Sequence, residues 1–393
     1  MAQGANPGSV AVASFANMFS VGTTYALSIL QAEVHRLLGI HHAWSYAPFA
    51  FATIGLSIGV ATCTSLTERS SARTVAAAGT ILWGLAVILA GHFLASLSFE
   101  GIIVSFMIGG IGVGWTYLAV VVWIGESLPA QSLARTAIGP LGFSSGAAAC
   151  TMASHFFQVG SLNGAEIGTA LKCAGSGFIT VGVTTLILVP GDGNITTHTP
   201  NYPAKPPPSF NRAFFQLLLF MNSLPGMALF ASLLPVVSNH TRFATGFTLP
   251  CCLMALALGG LLSPTLSARL SPRTLFMSLF CLRGLLLTTF SQTRHPAVFL
   301  ATVATVFFAH GLGFSTLPGI INSRLGPDAV FSHHYGLILT TWGLAGVVGS
   351  LLNAFLASSG DFTPVSLVLG LAMLAFGCTL GWTSLFPCQC IIN

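Results

Sequence analysis

The chain has 393 residues, of which 5% are charged and 53% hydrophobic, and its mean hydropathy is +0.84. That is too little charge to cover a soluble protein of this length, so lipid must be the solvent for most of the surface. The net charge of +5 is small and dispersed, which argues against a nucleic-acid partner.

A helix needs about 20 apolar residues to cross the hydrocarbon of a bilayer. Twelve stretches meet that need: 8–31, 44–65, 74–95, 101–124, 137–158, 167–189, 213–238, 243–266, 274–292, 296–320, 335–357 and 363–387. Pro225 and Pro318 fall inside two of them, and membrane helices tolerate proline. The first stretch has no basic leader, so it reads as a first span rather than a signal peptide. Residues 190–212 are polar and proline-rich, with Pro206-Pro207-Pro208 near their end, and read as a linker. The expected fold is an all-α polytopic membrane protein of twelve transmembrane helices. They form two pseudo-symmetric six-helix bundles, 1–189 and 213–393, joined by the linker 190–212, in a monomer.

The halves echo one another. Arg69-Ser70-Ser71-Ala72-Arg73-Thr74 reads R-x-S-x-R-T after span 2, and Arg269-Leu270-Ser271-Pro272-Arg273-Thr274 repeats it after span 8. At the same offset of 200, Leu82-Trp83-Gly84-Leu85 meets Leu282-Arg283-Gly284-Leu285. At an offset of 199, Ile111-Gly112-Val113-Gly114-Trp115-Thr116-Tyr117 meets His310-Gly311-Leu312-Gly313-Phe314-Ser315-Thr316. Eight of the 13 Lys and Arg residues lie in even-numbered loops and three in odd-numbered ones. The positive-inside rule then puts both termini and the linker in the cytoplasm. The sequon Asn239-His240-Thr241 would face outward, whereas Asn194-Ile195-Thr196 would not. At the C-terminus, Cys390-Ile391-Ile392-Asn393 has the prenylation shape without a favoured last residue, and Cys388 is a second lipidation candidate.

Twelve spans, a central linker and a basic turn repeated after spans 2 and 8 resemble the major facilitator superfamily. That family carries a G-x-x-x-D-R-x-G-R-type signature in both loops. Here Leu66-Thr67-Glu68-Arg69-Ser70-Ser71-Ala72-Arg73 keeps the basic positions, with Glu68 as the acid, and Ala268 stands at the acid's place in the second copy. Three stretches are similar to oxalate/formate-type and monocarboxylate-type members, with nodulin-like members a further match in span 1. They are Gly22-Thr23-Thr24-Tyr25-Ala26-Leu27-Ser28 followed by Trp44, Gly112 to Trp123 with Arg135 and Gly142, and Tyr335 to Gly346. The resemblance implies alternating access around a central cavity lined by spans 1, 4, 7 and 10. It also implies gating by the loop residues Glu68, Arg69, Arg73, Arg269 and Arg273. Oxalate/formate-type antiporters are similar in carrying a basic residue in span 8 and a lysine in span 11. This chain has no charge in 243–266, and the residue matched to the lysine is Trp342, so a doubly charged substrate is not expected.

Ionisable groups inside a membrane are costly and mark functional sites. No Asp or Glu falls in mid-span; Glu33, Glu100, Glu126 and Glu166 lie near helix ends. Arg283 lies mid-span and needs an anion, water or carbonyls. A bound substrate anion is one answer; snorkelling or helix-end carbonyls are the other. His310 and His155 are candidates for proton coupling, against the plainer reading of neutral histidines bonded to carbonyls. Tyr25, Tyr117, Trp115, Asn222, Arg283, His310 and Trp342 are the candidate substrate contacts, with Asn17, Gln216 and Ser315 as weaker polar candidates. The paired glycines of spans 4 and 10 mark either deformable helices or close packing.

The nine cysteines show no ligand spacing, and no nucleophile–base set occurs in the spans. No metal, no cofactor and no enzymatic activity are expected. The expected function is secondary active transport of a small organic anion, monocarboxylate-like, with a co-transported proton as an option. The alternatives are a neutral or amphipathic solute such as an amino acid, or a non-transporting sensor of the same fold. The expected partners are a small-molecule substrate and the lipid bilayer.

Overall fold

A computed structural model of the chain describes residues 6–128, 133–190, 210–240, 245–293, 295–325, 331–357 and 361–382, with 133–136, 233–240, 245–249, 293 and 382 described by backbone alone. Most of the linker, both sequons' side chains, the Arg135 side chain and the C-terminal cysteines lie outside this description.

Thirteen α-helices occur among the described residues: α1 (Pro7–Gly22), α2 (Leu27–Leu38), α3 (Ala47–Arg69), α4 (Ala72–Ala95), α5 (Phe99–Ser127), α6 (Leu133–Phe156), α7 (Gly164–Leu188), α8 (Arg212–His240), α9 (Thr245–Arg269), α10 (Pro272–Thr293), α11 (Pro296–Leu325), α12 (Phe331–Leu356) and α13 (Thr363–Trp382). A 3₁₀ turn at Thr23–Ala26 joins α1 to α2, and the pair makes one continuous rod, Pro7–Leu38. The helices therefore form the twelve expected rods, eleven of which, among the described residues, are long and apolar enough to cross a membrane. The remaining one, α6, is rich in Gly, Ser and Ala, and it packs chiefly against other helices, α1 and α9. Small residues serve that purpose better than large apolar ones. A side chain at Gly146 would overlap the Phe19 carbonyl of α1.

Each half closes on itself through equivalent contacts. In the first, α4 packs on α5 and α7, and α3 on α5; in the second, α10 packs on α13 and α11, and α9 on α11. The halves meet chiefly along α3 with α12 and α6 with α9. There the Ser57 hydroxyl donates to the Thr340 carbonyl at 2.8 Å and the Thr64 hydroxyl to the Ser332 carbonyl at 3.1 Å. The outer helices α4, α7, α10 and α13 present apolar side chains outward, Leu85, Ile187, Leu282 and Leu371 among them, as a lipid-facing surface requires.

The paired glycines pack rather than break helices. Both α5 and α11 run unbroken, and Gly114 and Gly311 let backbones approach, against Leu56 of α3 and Leu256 of α9. The interruption sits in the first rod, at the turn that carries Tyr25.

The two R-x-S-x-R-T loops have one structure. Ser71 caps α4, its hydroxyl accepting from the Thr74 N–H at 3.2 Å, and Ser271 does the same for Thr274 in α10 at 3.2 Å. Arg73 donates to the Leu186 and Val189 carbonyls at the end of α7. Arg273 donates to the Leu380 and Gly381 carbonyls at the end of α13. A guanidinium at a helix C-terminus satisfies orphan carbonyls and meets the negative end of the dipole. Glu68, Arg69 and Arg269 are exposed, and the ion pair of Arg36 with Glu33 lies elsewhere. The motif's second arginine is therefore engaged by carbonyls at the end of a neighbouring helix.

Candidate functional site

A cavity of about 590 Å³ opens on the face that carries the two R-x-S-x-R-T loops. It lies between the ends of α5 and α11 and the starts of α6 and α12; Glu126, Asn322 and Ser332 are among the residues nearest its mouth. Tyr117 and Phe314 line its inner part, together with Pro140 and Ser315.

Beyond them the path narrows to about 20 Å³ among Tyr25, Tyr117, Phe143, His310, Phe314 and Trp342. This is where the two halves share side chains. The Trp342 Nε1–H donates to the Tyr25 hydroxyl at 3.1 Å, and that hydroxyl lies 3.1 Å from His310 Nε2. Because the hydroxyl accepts from Trp342, its own proton is available to His310. The Tyr25 ring stacks on Phe230 with centroids 3.7 Å apart, and Phe230 in turn stacks on Phe307 at 4.5 Å. Trp342 is edged by Tyr117 at 4.8 Å and Phe314 at 5.1 Å. His310 Nδ1 is buried without a hydrogen-bond partner and faces Gly226, where an added Cβ would stand 2.6 Å from it. Side chains drawn from α5, α6, α8, α11, α12 and the turn of the first rod thus close the inner end of the cavity.

Arg283 stands one layer further out. It is fully buried, and its NH1 and NH2 groups donate to the Asn222 carbonyl at 2.9 Å and to Asn222 Oδ1 at 3.2 Å. Its Nε reaches the Leu279 carbonyl at 3.3 Å, and the guanidinium lies 4.9 Å from the Phe280 ring centre. Asn222 Nδ2 donates onward to the His310 carbonyl at 3.3 Å. The internal repeat accounts for the arrangement. At the equivalent place in the first half, Trp83 donates its indole N–H to the Ser20 carbonyl at 3.0 Å. Both residues tie the third helix of their half to the backbone of its first.

The structure brings Tyr25, Tyr117, His310 and Trp342 together and places Asn222 and Arg283 directly behind them. It sets two candidates apart. Trp115 turns towards α3, its N–H donating to the Thr62 hydroxyl at 2.9 Å, and does not line the cavity. His155 is exposed at the opposite face, beside Gln158 and Ser161. Among the weaker candidates, Ser315 lines the cavity, whereas Asn17 bonds Thr80 and Thr185 inside the first half. Phe143, Phe230 and Phe314 complete the cage and were not singled out in the sequence. A lone Phe in an apolar helix looks the same whether it faces lipid or a solute path. Only Phe314 carried a signal, adjoining the glycine pair of α11.

No family model and no curated protein matches this chain. Solved structures do. A crystal structure of a D-xylose-proton symporter superposes with a TM-score of 0.69 over 95% of this chain and 97% of its own, at 13% identity. The two chains share a fold over nearly their whole lengths.

Proposed function

We propose that this chain is a secondary transporter working by alternating access, with the Tyr25–His310–Trp342 cluster at the centre of the solute path. The observation that carries this reading is a single hydroxyl of the first half bonded to two groups of the second, at the blind end of an open cavity. Such a contact must break when the cavity opens on the other face, so it can be exchanged for a solute. The fold shared with a proton symporter supports the same class of function and supports proton coupling. His310, bonded across the halves, is the group on which a proton would alter that contact.

The proposed solute is small and neutral or amphipathic, with a flat apolar face and a hydrogen-bonding group. Aromatic rings line the constriction, and the polar groups there are hydroxyl, indole and imidazole. The organic-anion reading, which came from the resemblance, would need Arg283 released from Asn222, where its donors are engaged. The positive-inside rule supports placing the loop face and both termini in the cytoplasm, which makes the described state inward-facing. On this reading the arginine clasps hold the gate helices in register, and one chain carries a complete path.

Uptake into proteoliposomes tests the proposal, with sugars, neutral amino acids and monocarboxylates offered with and without an inward proton gradient. Saturable flux of a neutral solute, raised by the gradient and lost in His310→Ala, is the expected result. Carboxylate flux that disappears in Arg283→Gln would select the anion reading instead. A solute-dependent thermal shift with neither flux nor counterflow would leave a sensor and reject transport.

A further inference from the structure

A second pair of cavities lies inside the first half, away from the solute path. The inner one, about 290 Å³, runs between the first rod and helices α4, α5, α6 and α7. Its walls are almost wholly carbon, Leu30, Val87, Phe106, Ala153, Leu171 and Phe178 among them. It exists because α7 packs chiefly on α4, through the facing pairs Gly84 with Gly175 and Gly91 with Gly168. The space beside α2 and α6 is left unfilled.

The outer cavity, about 490 Å³, has a mixed lining and lies on the face opposite the R-x-S-x-R-T loops. Ser154, His155, Gln158 and Ser161 line it. The two cavities are neighbours, since Ile29, Glu33, Ser154 and Val159 line both. At their junction Glu33 is only 6% exposed, and its carboxylate is held by Arg36, with Nε to Oε2 at 2.7 Å. The same guanidinium donates to the Leu162 carbonyl at 2.6 Å, on the cavity wall, and stays 43% exposed. A carbon-walled space therefore adjoins a mixed vestibule, and the exposed Arg36, bonded to Glu33 and Leu162 of their walls, stands beside them.

We propose that this paired cavity is a phospholipid site, one acyl chain filling the inner cavity and the head-group phosphate resting on Arg36. An empty apolar crevice at membrane depth forfeits van der Waals contact that a hydrocarbon chain restores. A guanidinium at the interface attracts phosphate by a charge-assisted hydrogen bond. Glu33 orients Arg36, and the neutral hydroxyl and amide groups of the vestibule suit the rest of a head group. Thr23 and Ala26, on either side of Tyr25, also line the inner cavity, so an acyl chain there would press on the turn that aims Tyr25. That last consequence rests on the transport reading above; the binding itself does not.

Photolabelling decides the matter. The full chain is placed in nanodiscs containing phosphatidylglycerol with a diazirine in mid-chain, irradiated, and its peptides mapped. Label is expected on residues 26–37 and 150–178, and it should fall about tenfold in Ala174→Phe or Ala153→Leu, either of which fills the cavity. Label on the outward face of α10, at Leu282 and Leu285, should be unchanged in both variants and so reports that they fold. A photoreactive diacylglycerol, which lacks phosphate, should label the site more weakly. Arg36→Gln should remove the difference between the two lipids, and Arg36→Lys should keep it. Label confined to outward faces, or unchanged by both cavity-filling variants, overturns the site. Equal labelling by the two lipids in the unaltered chain overturns the role of Arg36.

Discussion

Arg283 shows how a residue type can be conspicuous in a sequence for a reason that the fold then changes. A lone cation in mid-span asked for an anion, and the structure answers with the Asn222 carbonyl and Oδ1 at 2.9 and 3.2 Å. Arg283→Met and Asn222→Ala should each lower the thermal stability of the purified protein. A double-mutant cycle should return a coupling of about 1–3 kcal/mol, because Asn222→Ala takes the Oδ1 acceptor from a buried guanidinium and leaves only the backbone carbonyls. Additive losses would show that the two groups act independently. Tyr25→Phe is a milder change with a different consequence. It keeps the ring on Phe230 and removes the hydroxyl shared by Trp342 and His310. Its cost of about 1–3 kcal/mol falls on the state in which the halves touch there, so the population should shift about 5- to 150-fold away from that state. The sequence could point to Tyr25 and His310, since polar groups are rare in these helices. It could not show that Arg283 stands behind Asn222, because facing across helices is not written in spacing along one.

At the scale of the element, spans were the legible part, since hydrophobic length alone sets them. The helix boundaries also explain the repeated loop: Ser71 and Ser271 are N-caps, and Arg73 and Arg273 cap a neighbouring helix's end. What the sequence could not supply was the partner of those arginines, 113 residues away at Leu186 and 107 at Leu380. Arg73→Ala and Arg273→Ala should each reduce stability by about 0.3–1 kcal/mol in melting measurements, and the double variant by their sum. No loss in either variant would show that these carbonyl contacts add nothing to stability. The glycine pairs of α5 and α11 were open to two readings, and their contacts favour packing. Gly311→Leu should therefore abolish correct folding, as read by size-exclusion chromatography, because a side chain there overlaps the Leu256 carbonyl.

For the whole molecule, the two halves meet along α3–α12 and α6–α9 and part around the cavity on the loop face. Ser315 lines that cavity, so Ser315→Cys should react with a membrane-impermeant thiol reagent from the loop-bearing side only. Labelling should fall severalfold when Tyr25→Phe is added, as the population leaves the described state. Reaction from both sides at equal rates would show that the described state is not the predominant one. The arginine clasps have a consequence for how the protein is made. Each joins the third helix of a half to its last, Arg73 to the end of α7 and Arg273 to the end of α13. Neither clasp needs a residue from the other half. The clasp between α4 and α7 can therefore form during synthesis before the second half has left the ribosome. A chain severed within residues 191–209 and co-expressed as two pieces should then reassemble and co-purify. Arg73→Ala should lower the yield of the first piece made alone, and Arg273→Ala should leave that yield untouched.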